Sequence, residues 1–244
     1  PESYTIRYET PHKKEYEQFS GGVYVCGGSL KDNGQQFETA FRISTDGELS
    51  FREGRLEVRD ASRLTIIHTA ATDYLPRFPD YKGNNYREGN RRVLASAGKS
   101  TFEALLEEHL QDYKSLFGRV SLELAGERDK DLPTDQRQKA YYEGASDPGL
   151  EALYFQYARY LMIASSRPGT LPMHLQGKWN HSTNPPWACD YHMNINEQML
   201  YWPAEVTGLP ECHLPLFDYM QQLREPGRLA AREFFNAAAG SSIP

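Results

Sequence analysis

The sequence contains few cysteines, and none of them belongs to a recognisable pair. Its 244 residues include only Cys26, Cys189 and Cys212, an odd count without a CxxC spacing. This scarcity excludes both a disulfide framework and a four-cysteine zinc site. Three free thiols are the simpler expectation, and a single Cys189–Cys212 bridge stays open as the alternative.

Positive charge is also scarce. Lys and Arg total 27 against 33 Asp and Glu, which gives a formal net charge of −6. This balance excludes a basic nucleic-acid binder and gives no reason to expect an anionic membrane surface as partner. No apolar run approaches the roughly 18 residues that a membrane span needs. With 39% hydrophobic residues, the chain is nevertheless too apolar to be disordered.

The common signatures of nucleophile, nucleotide and metal chemistry are missing. The sequence has neither a GxSxG elbow nor a glycine-rich phosphate loop. Four histidines fall within one stretch, but no two stand at the i, i+4 spacing of a zinc-binding helix; they are His174, His181, His192 and His213. We therefore predict neither a metal site nor a cofactor.

Hydrophobic alternation dominates the first part of the chain. It predicts strands at 23–25, 37–43, 49–58 and 64–69, with Asp46-Gly47 as a hairpin turn. Short strands at this spacing predict a β-sandwich portion over residues 1–99. Residues 76–90 are rich in Pro, Gly, Asn and Tyr, which predicts a long surface loop.

Helical patterns take over from residue 100. A capping box at 100–103, with Ser100 as N-cap, opens a helix that ends near Gly118, and alternation at 120–124 predicts a short strand. Asp147-Pro148 opens a second, very apolar helix, and further helices are predicted at 195–207 and 214–236, the last interrupted at Pro226-Gly227. We therefore predict a linker of helix plus short strand over 100–146, charged at 126–144, and helices alone from 147 to 244.

The segment 177–205 is the unusual part of the sequence. It holds all three tryptophans, Trp179, Trp187 and Trp202, within a long irregular stretch rich in asparagine. Long polar-aromatic loops inside a compact domain are often functional. The alternative is a helix connection whose tryptophans close the end of a bundle.

Within that segment, His192, Asn194 and Asn196 recur with a period of two. In extended backbone these three side chains point the same way, so they could face one cleft and hold sugar hydroxyls or a water molecule. In a regular helix they would splay around the axis, and an asparagine would serve as a helix cap instead.

Four motifs in this region resemble glycoside hydrolase family 95: LPMHLQGKWN at 171–180, NPPW at 184–187, YHMNIN at 191–196 and YWPAE at 201–205. The resemblance implies a multidomain fold of N-terminal β-sandwich, helical linker and (α/α)6 barrel. It also implies inverting removal of terminal α-L-fucose, chiefly α-1,2-linked, from a fucosylated glycan.

Asn194 and Asn196 match the family's catalytic pair that orients water for an Asp base, and His192 matches a residue that contacts the sugar. Trp187 and Trp179 are further candidates for substrate binding.

The family's catalytic Glu and Asp have no match in this chain. Its nearest carboxylates are those of Asp190, Glu197, Glu205 and Glu211. We therefore expect a fragment that holds part of the sandwich and the first helices of the barrel and is inactive alone.

Two functional alternatives stay open: a non-catalytic carbohydrate-binding or structural fragment, and an α-L-galactosidase. A third, an (α/α)6 sugar phosphorylase, is disfavoured because the resemblance is to hydrolases, and phosphate-dependent turnover would revive it. The resemblance further implies a secreted, periplasmic or cell-surface location.

Overall fold

The computed structural model describes residues 2–126, 132–237 and 240. The chain divides into two compact units, Pro1–Glu108 and His109–Pro244. The first unit contains seven described strands, which form one sheet of order β1-β6-β5 and a second of order β2-β3-β4-β7. These strands are β1 (Glu2–Ile6), β2 (Tyr16–Ser20), β3 (Val23–Ser29), β4 (Gln36–Thr45), β5 (Glu48–Arg52), β6 (Arg55–Ala61) and β7 (Leu64–Thr72).

Alternating apolar side chains hold the two sheets face to face. Tyr24 and Cys26 of β3, Ile43 of β4 and Leu56 of β6 are buried in one cluster, with partly buried aromatic side chains packed around them. All strand pairs are antiparallel. This arrangement is the β-sandwich portion that the alternation predicts.

Two local predictions for this unit are wrong. Asp46-Gly47 does not close a hairpin, because β4 pairs with β3 and β7 whereas β5 pairs with β6, so the turn passes from one sheet to the other. The hairpin is made instead at Glu53-Gly54, where both residues have positive φ (49° and 72°), as a tight two-residue turn requires. The predicted surface loop at 76–90 ends in helix α1 (Tyr86–Ala97), which buries Tyr86, Asn90 and Leu94.

Helices account for the regular structure of the described part of the second unit. Helix α2 (Phe102–Phe117) leads into it and is followed by α3 (Thr134–Tyr142), α4 (Pro148–Ser165), α5 (Asn196–Tyr201), α6 (Pro203–Val206), α7 (Leu214–Gln222) and α8 (Arg224–Phe235). Their core consists of buried side chains from α2, α4, α5, α6 and α7 and the segments between them. Asp147 caps α4 as predicted, its carboxylate accepting from the Leu150 N–H at 2.9 Å.

Several details of the second half differ from the sequence prediction. Thr101 rather than Ser100 caps α2, because its hydroxyl accepts from the Ala104 N–H at 3.2 Å. Residues 120–124 form no strand. The charged linker segment 126–144 contains α3, and its residues 127–131 lie outside the described residues. The break between the last two helices falls at Leu223, and Pro226 lies in the first turn of α8, where a missing N–H costs nothing. The boundaries 1–99, 100–146 and 147–244 stay predictions.

The described residues bear on three features that the sequence analysis considered: a disulfide, a membrane span and a metal site. The three cysteines are free, so the Cys189–Cys212 alternative is not realised. Within the described ranges, no helix combines the length and the apolar character needed to cross a bilayer. No group of three or more His, Cys, Asp or Glu side chains there could hold a metal ion.

Candidate active-site cleft

The second unit contains a cleft of about 510 Å³ lined almost entirely by the unusual segment. Four of the five candidate site residues line it together: Trp187, His192, Asn194 and Asn196. Leu175, Gln176 and Pro186 complete the described lining. The period-two pattern at 192, 194 and 196 therefore corresponds to side chains that share one cleft.

The backbone at 192–197 explains why these side chains face the cleft instead of capping a helix. The N-cap of α5 is Ile195, whose side chain has no polar atom, and α5 begins at Asn196. The Glu197 N–H donates to the His192 carbonyl at 3.0 Å, and the Gln198 Nε2 donates to the Met193 carbonyl at 2.6 Å. These two bonds join the turn to the first residues of α5, so neither asparagine side chain is needed to close the helix end.

A left-handed turn places Trp187 at the edge of the cleft. Trp187, Ala188 and Cys189 all have positive φ, at 49°, 54° and 55°. Residues with a Cβ adopt this region at a steric cost, and runs of such residues are associated with functional sites. The Trp187 side chain is left 77% exposed.

A thiol and an imidazole connect this turn to the LPMHLQG motif. The Cys189 Sγ lies 2.9 Å from the His174 Nδ1 and donates to the Gln176 Oε1 at 3.2 Å. Burial lowers the pKa of His174, so its neutral form is favoured. Because Gln176 lines the cleft, the contact fixes one wall of it. The sequence analysis weighed His174 as a metal ligand and did not predict its contact with Cys189. The left-handed turn that brings Cys189 to His174 has no local sequence signal.

His192 lies close to the carboxylate of Asp190. Its Nε2 is 2.9 Å from the Asp190 Oδ1, but the two atoms approach without the geometry of a hydrogen bond. The Asp190 side chain is more than half exposed. His192 therefore keeps a buried ring nitrogen whose hydrogen-bonding capacity is not used within the described chain.

Trp179 is separated from the other candidates. It does not line the cleft but a neighbouring apolar groove of about 570 Å³ along α4, with Tyr154 and Phe155. Its indole covers Gly177, where an added Cβ would come within 2.7 Å of the ring. The structure thus brings four of the five predicted residues together and leaves Trp179 apart.

Sequence reasoning missed a buried acid directly after the asparagine pair. Glu197 has no exposed surface, and neither of its carboxyl oxygens has a hydrogen-bond partner. Burial raises its pKa to about 7, and the nearby Lys178 ammonium opposes that shift. The sequence signal was partial: Glu197, Tyr201 and Ala204 stand at helical spacing, which indicates one helix face, but only the structure shows that this face is buried.

The fold and the cleft define a class of protein in which a β-sandwich precedes helices that carry a neutral, polar and aromatic cleft. A family model described as the glycosyl hydrolase family 95 catalytic domain matches residues 101–243, and one described as the glycosyl hydrolase family 65 N-terminal domain matches residues 1–77. The chain therefore belongs to glycosyl hydrolase family 95, which confirms the resemblance seen in its motifs.

Curated relatives and a solved structure agree with this assignment. The chain is 37% identical over 206 residues to "Alpha-L-fucosidase 2" of Arabidopsis thaliana, a match that covers 81% of this chain and 24% of that protein. It is 35% identical over 223 residues to "Probable alpha-fucosidase A" of Aspergillus oryzae, covering 85% of this chain and 30% of that protein. The chain thus spans about a quarter to a third of the length of these relatives.

A solved structure titled "Putative kojibiose phosphorylase from human microbiome" aligns with a TM-score of 0.57 and 13% identity, over 99% of this chain and 30% of that one. At this identity the likeness concerns the fold alone. It agrees with the predicted fold class of a sandwich followed by the first helices of a barrel.

Proposed function

We propose that the protein removes terminal α-L-fucose from fucosylated glycans and that this chain supplies the wall of the active site that positions sugar and water. The observation that carries the proposal is the convergence of His192, Asn194 and Asn196 on one cleft that the exposed Trp187 also lines. Membership of family 95 and the names of the two relatives support fucose as the sugar.

The two asparagines suit the orientation of a water molecule. Each amide offers two donors and an acceptor, and neither can take up a proton. An inverting reaction needs two carboxyl groups about 6.5–9.5 Å apart, with the water between the base and the sugar. The described residues that line the cleft include no Asp or Glu. We therefore infer that the acid and the base are supplied by segments outside this chain.

Sugar selection would depend on the apolar and polar halves of the cleft. The exposed indole of Trp187 suits the C–H groups of a pyranose, and the His192 imidazole suits its hydroxyls. L-Fucose and L-galactose differ by a methyl against a hydroxymethyl group, and an apolar wall discriminates between them only modestly. We propose L-fucose in α-1,2 linkage as the preferred substrate and keep the α-L-galactosidase as the variant of this proposal.

A second candidate function is non-catalytic carbohydrate binding. It is favoured by the described cleft lining, which offers hydrogen-bonding groups and an aromatic ring but neither of the two carboxyl groups that glycoside hydrolysis uses. The same residues would then recognise a terminal sugar without cleaving its linkage.

The experiment compares two samples on 2′-fucosyllactose: the 244-residue chain, and a protein that carries this chain at the length of its curated relatives. We expect the longer protein to release L-fucose, with the β-anomer appearing first by NMR, and the 244-residue chain to bind L-fucose without turnover. Sugar binding without release by the longer protein would favour the second candidate. Phosphate-dependent release would favour a phosphorylase, and equal rates on an α-L-galactoside would overturn the preference for fucose.

Asn194→Ala and Asn196→Ala in the longer protein test the proposed roles, and Asn33→Ala is the matched control. Asn33 lies in an exposed loop of the first unit, where its side chain accepts only a local bond from the Gln35 N–H at 2.8 Å. We expect both cleft variants to lose turnover and the control to keep it.

We also propose a secreted, periplasmic or cell-surface location, because fucosylated glycans are displayed outside the cytoplasm. Recovery of the protein in the cytoplasmic fraction alone would contradict this proposal.

A further inference from the structure

Glu197 is an unusual group to find beside a binding cleft. Its side chain has no exposed surface, it follows Asn196 directly, and both carboxyl oxygens lack a hydrogen-bond partner. An ionised carboxylate in such a place loses its hydration without compensation, whereas the protonated acid is tolerated much better. Buried polar groups without partners are rare in native proteins and need an explanation.

Two titratable groups face Glu197 from the elements around it. The Lys178 ammonium precedes the left-handed turn and donates to the carbonyls of Leu171 at 3.2 Å and Pro172 at 2.9 Å. The Tyr201 hydroxyl lies one helical turn further along α5 and is already bonded to the Ser166 hydroxyl and the Met173 N–H. The polar atoms of both neighbours are therefore engaged elsewhere, and neither forms a hydrogen bond with the carboxyl group.

The backbone of Glu197 is part of the structure that holds the asparagines. Its N–H donates to the His192 carbonyl at 3.0 Å and so closes the turn of residues 192–196. Asn194 lies inside that turn, and Asn196 begins α5 at its end. A displacement of the Glu197 side chain from the core would act on this bond and on both asparagines.

We propose that Glu197 is a positioning residue whose protonated carboxyl group keeps Asn194 and Asn196 aligned in the cleft. When the carboxyl group releases its proton to solvent, the carboxylate moves toward water or admits water, and the turn at 192–196 loses its closure. Because burial raises the pKa of Glu197 to about 7, this change falls in the neutral range. The consequence for catalysis rests on the proposed function, whereas the coupling between Glu197 and the asparagines does not.

The coupling can be measured in the 244-residue chain without any sugar. An NMR titration follows the Glu197 carboxyl carbon, assigned by its loss in Glu197→Gln, and the side-chain amide signals of the two asparagines. We expect all three to change together with a midpoint near pH 7. Because folding raises the pKa, the folded chain holds a proton that the unfolded chain has already released, so the melting temperature should fall as the pH rises from the ordinary glutamate pKa of 4.5 to about 7 and level off above that.

Glu197→Gln keeps a neutral group of the same shape, and we expect it to hold the asparagine signals at their low-pH positions throughout. If that variant fails to fold, Glu197→Leu carries the same expectation. Glu205→Gln is the matched control, because Glu205 is exposed and bonds His213, with its Oε1 2.6 Å from the His213 Nδ1. The control should leave the Glu197 transition unchanged.

Two results would overturn the proposal: a midpoint near the ordinary value of a glutamate, or asparagine signals that do not follow the Glu197 titration. In the longer protein, we expect kcat to fall above about pH 7, and Glu197→Gln to move that decline to higher pH with little change in KM. If the longer protein releases no fucose while the NMR coupling is observed, the proposed function fails and the positioning role stands.

Discussion

Replacement of Arg159 would test how the helix ends of the second unit are held together. The side chain is 2% exposed, and its guanidinium donates five hydrogen bonds with lengths between 2.8 and 3.1 Å. The acceptors are the backbone carbonyls of Leu116, Phe117, Val120 and Thr207 and the side-chain oxygen of Gln156. Two of these carbonyls end α2, where the helix itself provides no donor. One cation therefore caps α2 and the segment after α6.

The cost of losing Arg159 follows from the carbonyls that depend on it. Val120 keeps a bond from the Gln156 amide at 2.9 Å, so the carbonyls of Phe117 and Thr207 are the most affected. A buried carbonyl without its donor costs about 1–3 kcal/mol, and breaking a buried charged network typically costs about 3–5 kcal/mol. We expect Arg159→Met to lower the free energy of unfolding by about 3–5 kcal/mol. Arg159→Lys keeps the charge but replaces the guanidinium fork by one nitrogen, so it should cost about 1–3 kcal/mol.

Urea unfolding followed by tryptophan fluorescence is the appropriate assay, because all three tryptophans lie in the second unit. Arg228→Met on α8 is the matched control, since Arg228 is exposed and its loss should change stability by less than about 0.5 kcal/mol. If Arg159→Met costs no more than this control, the capping role is refuted. If Arg159→Met changes the slope of unfolding free energy against urea concentration, the substitution has altered the unfolded state as well.

Three further predictions concern the cap of α4 and the cleft. The Arg137 guanidinium, bonded to Asp147 at 2.7 and 2.8 Å, lowers the pKa of that carboxyl group to about 2. This carboxylate therefore stabilises the folded chain above pH 4, and its contribution should be lost as the pH falls toward 2. Asp147→Asn should lower the melting temperature at neutral pH and make the melting temperature fall less steeply in acid. In the longer protein, Asn194→Ala and Asn196→Ala should each cut kcat by about 10²-fold with little change in melting temperature. If both variants keep near-full turnover but melt several degrees lower, the catalytic role of the asparagines is contradicted. Trp187→Gly should relieve the positive φ of 49° and raise the melting temperature slightly, while weakening L-fucose binding measured by calorimetry; unchanged binding would remove Trp187 from the site.

The sequence predicts the sandwich where strands carry strong alternation and loses it where they do not. The β-branched run in β7 and the pattern of β4 stand out, whereas β1 (ESYTI) and β2 (YEQFS) are short and mostly exposed, so that they carry little apolar signal. The error at Asp46-Gly47 has a different origin. A turn signal shows that the chain reverses, but it does not show whether the next strand joins the same sheet.

For the site as well, features set by neighbouring residues could be predicted from the sequence, whereas features set by tertiary packing could not. The short sequence separation of His192, Asn194 and Asn196 was enough to group them in one cleft, although they lie in a turn and at the start of α5 and not in the extended backbone on which the period-two argument rested. The sequence could not separate Trp187 from Trp179, whose positions depend on a left-handed turn and on packing over Gly177. A charged residue in an active-site motif is also expected at the surface, so the complete burial of Glu197 had to come from the structure.

The wall of the cleft is preorganised by contacts that lie within this chain. The Glu197 N–H bond to His192 closes one side, and the contact between Cys189 and His174 fixes the other beside Gln176. Positioned polar groups bind a ligand with less loss of entropy than groups that must first be ordered, whether or not a reaction follows. Since none of these contacts needs a residue outside 174–197, the wall should form in the 244-residue chain and bind L-fucose there. Turnover needs a proton donor and acceptor in addition, so binding without cleavage is the behaviour that the geometry of this chain predicts.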